Sequence, residues 1–417
     1  MPKGTSSRAS VPRIVEMIMP NLLPTELHRF SLRDCLRGAF ASRESVRRAA
    51  PIGLPGLGEA IPVRSARAAV VIALRALGLP PGSRIGVPLY CCPVVFKAIR
   101  AAGCAPRFLD IEPETFCLSA DDLRAKASGI DAVIAVHMFG NLCDMPDVLE
   151  IMRGKPVIED CAQSIGSRLD GRTCGSFGDL SFFSFRSGKY LSIGEGGALY
   201  SPRPDLRARL EELVSALPVP SRGREVRHVA TTYLRSRLRS RPWWGWVGAR
   251  IWAAYNRTTE FADKSPIVLE RIFASDLATL RRRIPLLDSM IDAQRAHAGY
   301  FERHLGSAPV SLCIEPPRAR YNRFMYPLTF FTSQERDGMA AHLRETGIGT
   351  SRPYEDVIEG AAKHYGYGGD CPRAELALRR ALVIPVYSSL EPADLEHIVR
   401  SLDEGWTIPR NGRETPP

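Results

Sequence analysis

The chain has 417 residues, 45% of them apolar and 24% charged, the balance of a soluble globular protein with room for two domains. The formal charge is +11, but residues 222–257 alone hold nine Arg against one acid, Glu225, a local net of 9 − 1 = +8. With the rest nearly balanced, a nucleic-acid-binding fold is a poor default, and no apolar run reaches the ~18 residues of a membrane span.

Taken in chain order, the start "VPRIVEMIMPNLLP" is interrupted by Arg13, Glu16 and Pro20, so it does not read as a signal peptide and a cytoplasmic protein is expected. Residues 1–60, rich in Pro, Gly and Arg, read as an irregular or helical lead-in. From about residue 64 the patterns alternate. "RAAVVIALRALGL" has helical spacing, "RIGVPL" reads as a strand, "VVFKAIRAAG" as a helix and "PRFLDI" as a strand. "SADDLRAKA" is a helix capped by Ser119, "DAVIAV" a strand, "MPDVLEIMRG" a helix and "PVIED" a strand. This alternation predicts an α/β fold: a mostly parallel central sheet covered by helices, in a large domain over residues 61–215. Ligands of such sheets bind at the carboxyl ends of the strands, which here carry Tyr90, Asp110, His137 and Asp160.

Residues 216–265 read as a basic, Trp-rich insertion. Residues 266–405 read as a smaller α+β domain: one long helix or two over 275–305, a strand at "FMYPLTFF", a helix at "SQERDGMAAHLRETG", a Gly-rich turn at 366–369 and a last helix at "EPADLEHIVRSL". Residues 406–417 form a tail. The ten cysteines are scattered, with no CxxC pair or zinc spacing, so they read as reduced thiols and no metal site is expected.

The chemistry concentrates in "SFFSFRSGKYLSIGEGGALY". Lys189 follows the strand "LSFFSF" and precedes Gly194, Gly196 and Gly197. A lysine on such a loop is usually a solvated charge; at a strand end facing a dry cleft it is a Schiff-base lysine. Asp160, closing "PVIED", either caps the next helix or pairs with a cationic ring nitrogen. Ser184 either bonds to backbone or holds a phosphate, and the start of the helix at residues 64–71 offers amides and a dipole to an anion. GxGxxG after a strand and GxxxxGK[ST] are both missing, so a nucleotide-binding reading has no motif.

These pieces fall in the order E-D-x-A-Q (Glu159, Asp160, Ala162, Gln163), G-x-x-G-D (Gly175 to Asp179), F-S-F-x-x-x-K (Phe183 to Lys189) and G-E-G-G (Gly194 to Gly197). So ordered, the chain resembles the DegT/DnrJ/StrS-type sugar aminotransferases of aspartate-aminotransferase fold (fold type I). "VHMFGNLCDM", "LRETGIGTSRPYED" and "ALVIPVYSSLEPADLEHI" extend the resemblance over about residues 60–215 and 275–403. It implies pyridoxal 5′-phosphate as cofactor, glutamate or glutamine as amino donor, a keto-sugar, usually nucleotide-linked, as acceptor, and a homodimer. It assigns Lys189 to the Schiff base and the proton shuttle, Asp160 to the pyridine nitrogen, and Gln163 to the ring or its 3-hydroxyl. Ser184, with the backbone of Ser65, Ala66 and Arg67, takes the phosphate.

Three departures accompany the match. The family's Ser-Gly-Thr is Ser65-Ala66-Arg67 here, and Arg67 offers a charge-assisted phosphate contact in place of a hydroxyl. The ring-stacking aromatic is either Tyr90 or replaced by Cys92. The family's Asn segment toward the partner subunit is missing, with "RIFASDLATL" in its place. Two other readings stand beside the transferase. A sugar dehydratase of the family carries His where this chain has Lys189, and a regulatory relative binds the cofactor as a sensor. Residues 222–257 hold four of the five Trp among the Arg, the composition of an interfacial membrane segment or of a helical hairpin packed on a dimer partner. Peripheral contact with the inner membrane face is the expectation, with no nucleic acid as partner.

Overall fold

The computed structural model describes residues 19, 21–28, 30–251 and 266–407. The lead-in is more ordered than its composition suggested. It forms helices α1 (Leu32–Ala39) and α2 (Glu44–Arg47) and strands β1 (Ile52–Leu54) and β2 (Gly58–Val63). The boundary drawn between residues 60 and 61 falls inside β2, whose alternation is masked in the sequence by Gly and Pro.

The alternating pattern follows as expected: α3 (Ala66–Leu77), β3 (Arg84–Pro88), α4 (Pro93–Ala101), β4 (Ala105–Leu109), α5 (Ala120–Lys126), β5 (Ala132–Val136), α6 (Met145–Ile151) and β6 (Val157–Asp160). Short strands β7 (Arg168–Leu169) and β8 (Arg172–Thr173) lead to β9 (Leu180–Ser184), β10 (Gly197–Tyr200) and α7 (Pro204–Ser215). The main sheet has eight strands in the order β1-β2-β10-β9-β6-β5-β3-β4. Strands β9, β6, β5, β3 and β4 run parallel, and β10 pairs antiparallel with both β9 and β2. Every residue of β5 is buried, as a central strand covered on both faces requires.

Helix α8 (Arg222–Leu238) comes next, followed by a π-helical turn at Trp244–Gly248. The remainder of the basic segment from residue 252 to 265, with its fourth Trp, lies outside the described residues. The expected helix over 275–305 is two, α9 (Ala274–Arg283) and α10 (Leu287–Leu305), joined by a 3-10 turn that holds Pro285. A second core lies between α10, strand Tyr326–Thr329, helix Ser333–Glu345 and helix Pro392–Thr407, and includes Phe301, Leu328, Leu343 and Ile398. A three-stranded antiparallel sheet centred on Tyr326–Thr329 underlies it.

Candidate active site

Parallel β6 and β9 bring two predicted residues to one edge: Asp160 registers with Phe182, and Ser184 lies two residues further along β9. On the other side of Ser184 stands Gly197 of β10. A side chain at Gly197 would put its first carbon 2.7 Å from the amide nitrogen of Ala66, so only Gly lets β10 touch the start of α3. Ser65 caps that helix, its Oγ accepting from the amide of Ala68 at 3.3 Å. Ser184, Ser65 and the first turn of α3 are thus brought together, as the sequence implied. Arg67 lies half-buried on that turn with no acidic partner among the described residues.

Asp160 is buried at 6% exposure, and its Oδ1 accepts from the amide of Ala162 at 2.9 Å. This is a local turn, and no helix follows for it to cap. No donor among the described residues reaches Oδ2. Burial pushes its pKa up to about 6, against the pull of the Ala162 bond and the charges of Lys189 and His137. Burial, helped by Arg186, lowers Lys189 to about 8, while Asp160, Cys92 and Glu26 pull it the other way. The Lys189 amine lies 4.5 Å from the centroid of Phe324. It lines a cleft of about 50 Å³, walled by Leu27, Met290, Met325 and Val386.

Gln163 is fixed on three sides. Its Oε1 accepts from the amide of Phe139 at 3.1 Å, and its Nε2 donates to the hydroxyl of Tyr354 at 3.1 Å and approaches Met138 Sδ at 3.2 Å. Tyr90 is fully buried, edge-on to Phe116, Phe139 and Tyr354. Cys92 immediately precedes the first turn of α4. Of the two sequence candidates, Cys92 stands half-buried just before α4, and Tyr90 backs Tyr354.

The other strand ends are structural. Asp110 accepts from the amides of Arg373 and Ala374 at 3.1 and 2.7 Å, tying down the helix Pro372–Arg380. His137 meets Glu159 through Nε2 at 3.0 Å and accepts from the amide of Cys143 at Nδ1. Glu159 also accepts from the amides of Gly175, Phe177 and Gly178. His137, Glu159 and Cys161 lie close enough to share a metal ion, but both ring nitrogens and the carboxylate are already engaged. At the place of the missing Asn segment, Arg271 donates to the carbonyls of Val46, Arg47 and Ser215 within its own chain.

The sequence reading missed Tyr354, Phe324 and Glu26. Tyr354 stands in the quoted "LRETGIGTSRPYED", and its positive φ of 64 marks a constrained backbone. Phe324 and Glu26 belong to segments where nothing local signals a site.

The donor set fits pyridoxal phosphate: an amine of lowered pKa, a buried acid with one oxygen open, and a hydroxyl beside a helix start. Fold and site together define a fold type I pyridoxal phosphate enzyme. The sequence agrees, since the model of the DegT/DnrJ/EryC1/StrS aminotransferase family matches residues 54–232 and 268–403. The chain belongs to that family. The match takes in most of α8, so the unmatched stretch is 233–267, shorter than the 216–265 insertion expected at its amino-terminal side. A UDP-N-acetyl-3-dehydro-alpha-D-glucosamine 3-aminotransferase of Acidithiobacillus ferrooxidans is 27% identical over 83% of this chain and 84% of its own. A dTDP-4-dehydro-2,3,6-trideoxy-D-glucose 4-aminotransferase of Saccharopolyspora spinosa is 27% identical over 81% of each. The solved aminotransferase TlmJ of Streptoalloteichus hindustanus shares the fold, with a TM-score of 0.71 at 22% identity over 92% of this chain and 98% of its own.

Proposed function

We propose that the enzyme moves an amino group from glutamate or glutamine onto a nucleotide-linked keto-sugar, for a glycan, a cell-surface polysaccharide or a natural product. The observation that carries this is the placing of a half-buried Lys189 within electrostatic reach of the buried Asp160, each shifted toward its neutral form. Two relatives that match most of the chain are named for nucleotide-linked sugars. Pyridoxal phosphate supplies an aldehyde that joins amines and a ring that draws electrons from the adjacent carbon. Lys189 Nζ, with a pKa near 8, is neutral often enough at working pH to bind that aldehyde and to carry a proton to and from the reacting carbon. Asp160 Oδ2 would hold the proton on the ring nitrogen. Ser184, Ser65 and the first turn of α3 with Arg67 would hold the phosphate, and Gln163, braced by Tyr354, would orient the ring edge. The apolar cleft wall keeps water from the reacting carbon. A half-reaction screen of the purified protein tests this, with amino donors first and a panel of nucleotide-linked keto-sugars second. A protein whose cofactor absorbance does not respond to glutamate or glutamine is not this enzyme.

A homodimer is part of the proposal, because the family pattern builds each site beside a second subunit. Chromatography with light scattering is expected to give a dimer, and a fully active monomer refutes it.

No helix among the described residues is long and apolar enough to cross a membrane, so attachment would be peripheral. We place it at the inner membrane face, through residues 222–257. Of 13 exposed large hydrophobic side chains among the described residues, nine lie on α1 and its C-cap Phe40, on α8 and on residues 243–251. Helix α1 packs against α8, and its row Leu32, Leu36 and Phe40 points away from the buried Asp34 and Gly38. Around this face Arg33, Arg37, Arg222, Arg227, Arg235 and Arg237 are exposed, with no acidic partner among the described residues. That charge suits anionic lipid and opposes pairing of the face with its own copy. Flotation with phosphatidylglycerol vesicles is expected to carry the protein at low salt, to weaken with salt and to fail with phosphatidylcholine alone. Protein that stays in the bottom fraction under every condition refutes the attachment.

A further inference from the structure

Glu26 is the one ionised acid in the wall of the Lys189 cleft. The segment that bears it is tied at both ends. Leu23 donates to the carbonyl of Gly347 and accepts from the amide of Gly349, each at 2.8 Å, which joins it to the smaller domain. Phe30 donates to Ser236 Oγ of α8 at 3.0 Å. Between these anchors Thr25, Glu26 and Leu27 line the cleft. Glu26 Oε1 takes a bond from Arg239 at 2.9 Å and one from His28 at 3.4 Å. No donor among the described residues reaches Oε2. That oxygen lies 2.5 Å from where a side chain at Gly188 would begin, so Gly at the position before Lys189 makes room for it. The other polar wall group with a strong acceptor partnership, Gln294, is committed through Nε2 to the carbonyls of Arg323 and Phe324.

We propose that Glu26 is a specificity residue: its Oε2 accepts hydrogen bonds from ring hydroxyls of the keto-sugar, and Arg239 is the positioning residue that holds it. The inference rests on the aminotransferase reading of this cleft. A carboxylate with one oxygen pinned and one open is a fixed acceptor, and sugar hydroxyls are donors. Largely apolar walls with a few placed polar groups are the pattern of a small-molecule site. A site built to bond a hydroxyl discriminates strongly against an analogue without one.

The test uses the holoenzyme and two probes that differ in ring hydroxyls, UDP-N-acetyl-3-dehydro-glucosamine and dTDP-4-dehydro-2,3,6-trideoxyglucose. Glu26→Gln is expected to raise KM, or the dissociation constant read from cofactor absorbance, about 10- to 100-fold for the first probe, the scale of a lost charge-assisted bond. The second probe and the glutamate half-reaction should move less than threefold. Glu26→Asp, which keeps the charge but draws the oxygen back, should fall between and guards against a Gln variant that does not fold. Arg239→Gln should weaken binding of the first probe alone, while Arg239→Lys restores most of it. Equal losses on both probes, or no loss on either, overturn the proposal. A wild type that reacts with glutamate but binds neither probe also overturns it. A wild type that does not react with glutamate fails earlier, and refutes the aminotransferase reading itself.

Discussion

At the carboxyl edge of the sheet the polar groups are buried or half-buried and most are partnered, whereas on α1 and α8 several exposed arginines have no acidic partner among the described residues, and exposed Leu, Phe and Trp lie on the same elements and on residues 243–246. In the first region function shows in what is left open. Glu159 and Asp160 are neighbours on β6 and both are buried, yet Glu159 receives three backbone amides and His137 while Asp160 receives one amide. The acid with every lone pair engaged holds the turn at 175–178 in place. The acid with an open oxygen is the one that the proposed function gives to the ring nitrogen. In the second region no acidic partner among the described residues meets Arg33, Arg37, Arg222, Arg227, Arg235 or Arg237, and the proposed membrane attachment rests on that excess.

The largest expected effect breaks the first region at its centre. Lys189→Ala should abolish amino transfer and the cofactor absorbance of the holoenzyme, because no second lysine among the described residues lines the cleft. Reduction with borohydride that still marks a lysine in this variant would move the nucleophile elsewhere. In the wild type the rate of cofactor capture should fall about tenfold per pH unit below pH 8, as Lys189 becomes protonated.

Asp160→Asn sharpens the contrast with Glu159, since the two should differ in sign. Turnover of Asp160→Asn should drop by orders of magnitude, because a neutral ring nitrogen makes a poor electron sink. Stability of the protein without cofactor should rise. The native acid titrates near 6 rather than 3.8, so its ionised form costs up to about 3 kcal/mol above pH 6. That cost is absent below about pH 4, so the variant's advantage should shrink as pH falls from 6 to 4 in urea titrations. Glu159→Gln puts an NH2 group against backbone donors and should lose about 2–4 kcal/mol at neutral pH. Equal responses from the two variants would erase the distinction drawn here.

The sequence made the first region legible because its groups sit at fixed offsets on regular elements. Asp160, Ser184 and Lys189 follow from where strands end, and the alternating pattern placed those ends correctly. Residues brought in from far along the chain were not legible. Tyr354 reaches Gln163 across 191 positions, and Glu26 meets Arg239 across 213, so no local spacing could announce either pair. The lead-in was read as irregular because Gly and Pro interrupt β1 and β2, although pairing with β10 fixes β2 as a strand. The Trp-rich segment stands out by composition alone, and its companion α1 does not, since eight residues with two Leu, two Arg and one Asp resemble any surface helix.

On the outer face, replacing Trp243 and Trp246 together by Ser should cut binding to anionic vesicles about tenfold or more, the scale of removing large apolar side chains from a buried position. Amino transfer in solution should be unchanged, because neither ring lines the Lys189 cleft. Loss of dimerisation in this variant, with vesicle binding intact, would assign the face to a second copy of the chain.

The smallest effect concerns Arg67. It stands on the first turn of α3, where backbone amides and the helix dipole already favour an anion, and Ser184 faces the same place across Gly197. Its guanidinium therefore adds to a cradle that exists without it. Arg67→Ala should weaken retention of pyridoxal phosphate by about threefold to tenfold, the range of one charge-assisted contact at a half-exposed position. Because Lys189 and Asp160 are untouched, turnover at saturating cofactor should stay near the native value. Rising salt should narrow the gap between variant and native protein, since salt screens the Arg67 contact and not the amides. Equilibrium dialysis against pyridoxal phosphate at two salt concentrations reads all three expectations. Retention equal to the native protein's at low salt would place Arg67 outside the phosphate site and leave the anion to Ser65, Ser184 and the helix start alone.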